Sequence, residues 1–269
     1  MKRSPLFWLG CGFLTLLAVY AIFGPNMRHS WFSATGHARE MPTASHWLGT
    51  DEKGVDIFAR MAYGARVSLL IGFSVQFIAV GGGVLVGVLG VFAPRWVADP
   101  LMRLTDGMFA FPDLLLAIML VGLFGMGTGT VVIALSITAW PSVARLVRTQ
   151  VASLKDREFV VASRSMGAPV TYTVWRHVLP HLTGVLMAVA MVDVAAVILS
   201  ESTLSFLGIG VQLPQTSWGS MIRTGNDYKD SHPILLLWPC IVLALTVFAL
   251  NFVGDGLRSM TDPTGSQVR

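Results

Sequence analysis

Charged side chains are scarce in this sequence, since Asp, Glu, Lys and Arg make up 13% of its 269 residues. A soluble globular protein carries about 25%, so this chain has too few charges to cover a surface that faces water. Apolar residues make up 54% of the chain, and the mean hydropathy is +0.65. The composition therefore predicts a protein whose surface lies largely in a lipid bilayer.

Several chemical signatures are also missing. The two cysteines lie in separate apolar runs, which excludes zinc and dithiol motifs made of closely spaced cysteines. A phosphate-binding P-loop needs lysine directly after glycine, and no lysine here follows one. No Gly-x-Ser-x-Gly or His-Glu-x-x-His motif is present. We therefore expect no catalytic site, no metal site and no cofactor on this chain; the spacing of His29, His37 and His46 fits no compact metal site.

Six apolar runs approach the length of about 20 residues that a membrane-spanning helix needs. The fourth run is interrupted by Trp140-Pro141, which a membrane helix tolerates when neighbours satisfy the freed carbonyl. The first run follows a basic start but lacks a signal-peptide cleavage site, so we expect it to be a retained helix. The predicted spans cover residues 6–24, 67–93, 108–124, 131–147, 184–204 and 234–254.

The basic residues predict the orientation of these spans. With the N-terminus in the cytoplasm, 12 of the 19 lysines and arginines fall in inner segments, in agreement with the positive-inside rule. Both termini are then cytoplasmic. The excess of basic over acidic residues is explained by membrane topology, so we expect no nucleic-acid partner.

One inner segment, residues 152–181, is too long for a simple connection and has a helical pattern, which predicts a docking element. We expect a short helix over residues 152–166. Gly167 permits a tight turn because it has no Cβ atom, and Pro180 suits the first turn of the next helix. Two short helices at an angle would form a knob that fits a groove on a partner protein.

This segment resembles the EAA loop of importer permeases in the ATP-binding-cassette superfamily. It reads Glu-Phe-Val-Val-Ala-Ser-Arg-Ser-Met-Gly-Ala at 158–168 and Trp-Arg-His-Val-Leu-Pro at 175–180. Aligning the family glycine with Gly167 places the Glu-Ala-Ala triplet on Val161, Ala162 and Ser163. The family glutamate is therefore a valine here, and Glu158 lies one helical turn earlier, on the same helix face. The resemblance implies that Glu158, Val161, Ala162, Ser163, Gly167, Leu179 and Pro180 couple the chain to an ATPase.

Further strings resemble the permeases of dipeptide, oligopeptide and nickel importers, over about residues 47–263. They are His46 to Arg60, Tyr63 to Leu69, Phe-Ala-Phe-Pro-Asp at 109–113, Leu-Ser-Phe-Leu-Gly-Ile-Gly at 204–210, Trp218-Gly219, Asn251 to Arg258 and Asp262-Pro263. The chain is similar to the C-type subunit of these importers.

The resemblance implies an all-α membrane protein with the MetI-like permease fold and cytoplasmic coupling helices. It implies a homologous B-type permease subunit, two ATPase chains that bind ATP and Mg²⁺, and a periplasmic or lipid-anchored substrate-binding protein. The chain would divide into a first span and outer loop at 1–66, a permease core at 67–257 with the coupling loop at 152–181, and a cytoplasmic tail at 258–269.

The roles of two acidic residues and the identity of the substrate stay open. Asp193 and Glu201 fall in the fifth span, where an ionisable group needs a partner or a wet cavity. Each would either line the translocation pathway or hold two helices together through hydrogen bonds. Short peptides are the first choice of substrate, and nickel or a metal chelate is the second. An intramembrane hydrolase using Asp193 or Glu201, and a secondary transporter, are the alternatives from other classes.

Small residues mark one helix face. Gly83 and Gly87 have the GxxxG spacing that allows two membrane helices to approach closely.

Overall fold

The computed structural model of the chain describes residues 5–27 and 29–261. The predictions that use Lys2, Arg3, Arg28, Arg269 and Asp262-Pro263 fall outside these residues. Ten α-helices occupy the part described. They are α1 (Pro5–Phe23), α2 (Ile57–Phe92), α3 (Arg95–Met108), α4 (Asp113–Phe124), α5 (Thr128–Lys155), α6 (Glu158–Ser165), α7 (Val170–Thr173), α8 (Leu179–Phe206), α9 (Trp218–Asp227) and α10 (Ile234–Thr261).

Five helical runs are long and apolar enough to cross a bilayer. They are Pro5–Asn26, Ile57–Phe92, Thr128–Lys155, Val170–Phe206 and Ile234–Met260. These runs confirm the all-α membrane fold and five of the six predicted spans. The fourth predicted span is an unbroken helix in which the Pro141 side chain is buried, as expected for a membrane helix whose neighbours accommodate a proline.

The third predicted span, residues 108–124, differs from the structure. Helix α4 has 12 residues, which give about 18 Å of helix and cannot alone cross a hydrocarbon core of about 30 Å. The preceding helix α3 ends at Met108, and the two helices are bent by 94° across the break. Pro112 explains the break, because a proline disfavours helical geometry in the residue before it. Together α3 and α4 have the length and the apolar composition of one span, but the chain is sharply bent between them.

Helix α2 begins earlier than predicted, at Ile57 instead of Val67. Its 36 residues give about 54 Å of helix, well beyond the hydrocarbon core. The Asp56 side chain caps the helix by accepting the Ala59 N–H at 2.9 Å. The two charged residues of the extra turns are satisfied, since Arg60 pairs with Asp51 and Arg66 donates to the carbonyl of Ala21.

Helices α2 and α10 run across two of the predicted segment boundaries. The boundary at 66/67 falls inside α2, and the boundary at 257/258 falls inside α10, which continues to Thr261. Apolar length located the hydrophobic part of α2, and capping by Asp56 and ion pairing of Arg60 accompany its extension beyond that part.

Helices α2 and α5 pack closely along the centre of the fold. A Cβ atom added to Gly83 would lie 2.6 Å from Val143 Cβ, and one added to Gly87 would lie 2.7 Å from the Ala144 carbonyl oxygen. Contacts this short leave no room for a side chain, so the close approach predicted from the glycine spacing is confirmed. Helices α1 and α8 also pack on α2, and α10 packs on α1 and α8.

Candidate coupling loop and membrane groove

The coupling loop begins where α5 ends at Lys155. The expected helix over 152–166 is split there, because residues 152–155 belong to α5 and a turn at Asp156 and Arg157 separates them from α6. Arg157 is extended and its carbonyl receives the N–H groups of Val160 and Val161. Glu158 lies in the first turn of α6, where a negative charge is favourable.

Helix α6 is anchored by one face. Val160 is fully buried in a cluster that includes Val178 and Leu182. The Ser163 hydroxyl lies 3.1 Å from the Thr173 hydroxyl, which joins α6 to α7. The Phe159 ring stacks on His181 with 4.7 Å between ring centres. The helix is therefore held against the C-terminal end of α5 and the N-terminal end of α8.

The opposite face of α6 is open. Glu158 and Ala162 are exposed, Val161 has 49% of its surface exposed, and Met166 has 82%. Val161 stands where the family glutamate is expected, and Glu158 is exposed one turn before it. A carboxylate is thus available beside the valine on the exposed face of α6.

Gly167 forms the tight turn that the sequence predicts. Its φ is +81°, in the region that glycine adopts without strain. The Gly167 N–H donates to the Arg164 carbonyl at 3.0 Å, and the Ala168 N–H donates to the Ser163 carbonyl at 3.2 Å. These bonds close the C-terminus of α6 and turn the chain towards α7.

Pro180 is the second residue of α8 and so lies in its first turn, as the sequence predicts. The start of α8 is not separated from the preceding helix, because α7 starts after Pro169 and the chain continues through a π turn at Val174–Val178 into α8. The Leu179 N–H bonds to the Val174 carbonyl, five residues back, directly before the proline that has no N–H to donate.

The predicted coupling residues divide into two groups. Ser163 is buried and Leu179 is partly buried, so both hold the loop together. Two aromatic residues that sequence reasoning did not select lie on the open side, namely Tyr172 at 53% exposure and Trp175 at 75%. The sequence signal that could have identified these two residues is that they are large apolar side chains in a segment expected to face water. The exposed group of predicted residues is Glu158, Val161, Ala162, Gly167 and Pro180.

At membrane depth a groove of about 820 Å³ lies between α2 and α8. Its lining is apolar except for Ser74 and Gln76. The Gln76 amide donates to the Asp193 carboxylate at 3.3 Å, and its own Oε1 atom is buried without a hydrogen-bond partner. Asp193 is partly exposed beside the groove. The pair is the polar element of an otherwise apolar surface.

Glu201 has a different environment. It is completely buried, so its side chain reaches no surface of the chain in this conformation. It accepts hydrogen bonds from the Ser68 hydroxyl of α2 at 3.1 Å and from the Ser205 hydroxyl at 2.7 Å. Of the two roles left open for Glu201, this geometry favours the joining of helices.

The Glu201 network also holds α9 in place. The Ser68 oxygen accepts the backbone N–H of Trp218 at 3.4 Å, and the Trp218 indole N–H donates to the Met61 carbonyl at 3.3 Å. Gly219 lies directly against the backbone of Ser202, where a Cβ atom would overlap. The N-terminus of α9 is thus wedged between α2 and α8.

Two of the histidines between α1 and α2, His29 and His46, lie against each other. His46 is buried, and its Nδ1 atom lies 3.0 Å from the Asp56 carboxylate. The His29 ring packs on His46 with 4.6 Å between ring centres. Within the described ranges no group of three His, Cys, Asp or Glu side chains is arranged to hold a metal ion.

Comparison with known proteins agrees with this arrangement. Residues 79–264 match the sequence pattern of the binding-protein-dependent transport system inner membrane component. The chain belongs to this family. It is therefore a multi-pass permease of the inner membrane.

Individual relatives cover nearly the whole permease. It is 35% identical to the oligopeptide transport system permease protein OppC of Bacillus subtilis, over 97% of this chain and 87% of that protein. It is 36% identical to the dipeptide transport system permease protein DppC of the same species, over 98% and 83%. A probable peptide ABC transporter permease of Sinorhizobium fredii is 39% identical over 100% and 92%.

A solved structure shares the fold of the permease. An inward-facing crystal form of the MetNI methionine ABC transporter has a chain with a TM-score of 0.62 at 17% identity, covering 75% of this permease and 96% of that chain. At this identity the likeness concerns the fold alone, and it confirms the predicted MetI-like fold.

Proposed function

We propose that the permease forms half of the translocation pathway of an ATP-driven importer of short peptides. The observation that carries the proposal is the coupling loop: a short helix anchored by Val160, closed by the Gly167 turn, and exposed along Glu158, Val161 and Ala162. A small exposed helix between two membrane helices is suited to a groove on a partner protein, and Met166 and Trp175 add apolar contact surface.

ATP is handled elsewhere in this proposal. The sequence offers no glycine-lysine pair for a P-loop, so two partner ATPase chains bind ATP and Mg²⁺ beneath the membrane. Their closure pushes α6 and α7, and the motion reaches α5 and α8 through Val160 and Ser163. Glu158, Val161 and Ala162 make the contact, while Gly167 sets the angle between the two arms of the loop.

The remaining half of the pathway comes from a homologous B-type permease subunit. The groove between α2 and α8 faces the pathway or this subunit, with Asp193 as its polar element. Both termini and the coupling loop lie in the cytoplasm, as the basic residues favour. The segments at 29–56 and 207–217 then face a periplasmic or lipid-anchored binding protein that delivers the substrate.

Peptides are the substrate that the relatives favour, because those named above are peptide permeases. The test measures uptake of a labelled dipeptide and of radioactive nickel in cells that lack this gene and in cells with the gene restored. We expect dipeptide uptake to be lost and rescued, and nickel uptake to be unchanged.

Each other result has a definite meaning. Loss and rescue of nickel uptake alone would replace the peptide assignment with a metal importer. Uptake of both that is independent of this gene would contradict the proposal for these substrates. Uptake that continues after ATP depletion, driven by an ion gradient, would contradict the ATP-driven mechanism.

A further inference from the structure

Two adjoining cavities lie where the segment before α2 meets the loop between α8 and α9. One has a volume of about 240 Å³ and is mainly polar, with Glu52, Gln212 and Arg223 in its wall. The other has a volume of about 390 Å³ and is lined by Trp31, Phe32 and further apolar residues. Both include Lys53, Arg60, Leu213 and Thr216, so they form one two-chambered site.

The polar chamber contains cations whose charge is not neutralised. Arg60 is held by Asp51 and lies 3.8 Å from Glu52, so its charge is compensated. The ammonium group of Lys53 and the guanidinium group of Arg223 form no ion pair with any residue that the structure describes. The chamber therefore has two cationic groups available to an anion.

Arg223 is also positioned by the fold. Gly208 has a φ of +86°, and a Cβ atom there would overlap Nη1 of Arg223. The guanidinium group thus lies directly on the backbone turn that follows α8. Arg223 is exposed, and its planar guanidinium group can bind a carboxylate through two parallel hydrogen bonds.

The apolar chamber lies directly beside these cations. Trp31 stacks on Tyr63 of α2 with 3.6 Å between ring centres, which fixes its orientation. The Leu213 side chain, 68% exposed, stands on the shared wall. A carboxylate in one chamber therefore leaves an attached apolar side chain within reach of the other.

We propose that this site binds a short peptide on the outer side of the permease, with the C-terminal carboxylate at Lys53 and Arg223 and an apolar side chain against Trp31 and Phe32. The proposal rests on the proposed peptide-import function. The size of the chambers favours a small ligand, since ligand cavities usually enclose about 300–1,000 Å³, whereas a protein partner needs about 800 Å² of surface on each side.

The test uses the assembled transporter in lipid nanodiscs, without its binding protein. Alanyl-photoleucine, a dipeptide with a photoreactive apolar side chain, is added and irradiated, and labelled residues are located by mass spectrometry. We expect labels near Trp31, Phe32 and Leu213. Unlabelled alanyl-leucine should compete for the site, while alanyl-leucinamide, which lacks the carboxylate, should compete at least about tenfold less well.

Matched variants identify the cations. The double change Lys53→Gln and Arg223→Gln should reduce labelling at least about tenfold, whereas Lys229→Gln, an exposed lysine outside the site, should leave it unchanged. Absence of labels at the site, or equal competition by the amide in the wild-type protein, would overturn the proposal without requiring any variant.

Two further outcomes separate this proposal from others. Unchanged labelling in the double variant, together with weaker stimulation of ATP hydrolysis by the binding protein, would overturn the assignment of Lys53 and Arg223 to the peptide carboxylate and assign them to an acidic docking contact. Failure of labelling while peptide uptake still depends on the gene would overturn only this proposal. Loss of the peptide assignment itself would appear in the uptake experiment.

Discussion

Replacing Gly167 with valine is expected to reduce peptide uptake about tenfold or more while the permease remains in the membrane. Gly167 has a φ of +81°, and an L-residue in this region is disfavoured by about 1–2 kcal/mol, more for a β-branched side chain. No atom lies within 4 Å of the position that a Cβ would occupy. The cost therefore comes from the backbone, and the turn relaxes by moving α6 away from its place on α7.

The control is Gly167→Asn, because asparagine tolerates a positive φ better than other residues that have a Cβ atom. This variant should keep most of the wild-type uptake. Both variants should be present in membrane fractions at wild-type amounts, and the valine variant should retain ATP hydrolysis that no longer responds to substrate. Wild-type uptake by Gly167→Val would contradict the role of the turn in coupling.

Replacing Gly83 with leucine is expected to separate α2 from α5 and to prevent normal folding of the chain. A Cβ atom at this position lies 2.6 Å from Val143 Cβ and 2.9 Å from the Ala144 backbone nitrogen. Overpacking a rigid interface costs about 1–3 kcal/mol or more, and a backbone atom in contact cannot move aside alone. We expect a large loss of thermal stability, measured on the detergent-solubilised chain by its retention as a single species on size exclusion.

Gly81 provides a matched control on the same helix. A Cβ atom there meets no atom within 4 Å, so Gly81→Leu should unfold at nearly the wild-type temperature. Gly83→Ala should fall between the two leucine variants, because it adds a single methyl group to the same contact. Equal stability of Gly83→Leu and Gly81→Leu would show that the close approach of α2 and α5 is not required.

The membrane helices were located by the length of their apolar runs. This criterion misplaces the end of a helix where polar interactions extend the helix beyond its apolar run. The first turns of α2 contain Arg60 and Arg66, which look like loop residues until their partners Asp51 and Ala21 are known. Asp51 lies six residues before α2, but the pattern of apolar residues does not show that it pairs with Arg60, and Ala21 lies 45 residues before Arg66.

The short helix α4 shows a different kind of limit. The run at 108–124 has the hydropathy of a span, but Pro112 moves the helix start to Asp113. Helix α4 reaches the length of a span only when it is taken together with α3, which is bent from it by 94°. Proline marks the break in the sequence. The direction that the chain takes after the break depends on packing, which the sequence pattern does not contain.

The turn of the coupling loop could be predicted from the sequence, whereas the environments of the acidic residues of α8 could not. The turn at Gly167 can be predicted from the local sequence, because few residues other than glycine adopt a positive φ. Asp193 and Glu201 have the same chemistry and lie on the same helix, yet one lies beside a groove and the other is enclosed by Ser68 and Ser205. Only the placement of α2 against α8 distinguishes them.

The central claim, that α6 docks on an ATPase, is tested most directly by cross-linking. In a chain with Cys11 and Cys240 changed to serine, a single cysteine at Ala162 is treated with a short bifunctional reagent in the native membrane. The account predicts a cross-linked product with a chain that is also labelled by photoreactive ATP. Met41→Cys, an exposed position on the predicted outer side, should give none. Absence of an ATP-binding chain from the Ala162→Cys product would contradict the account.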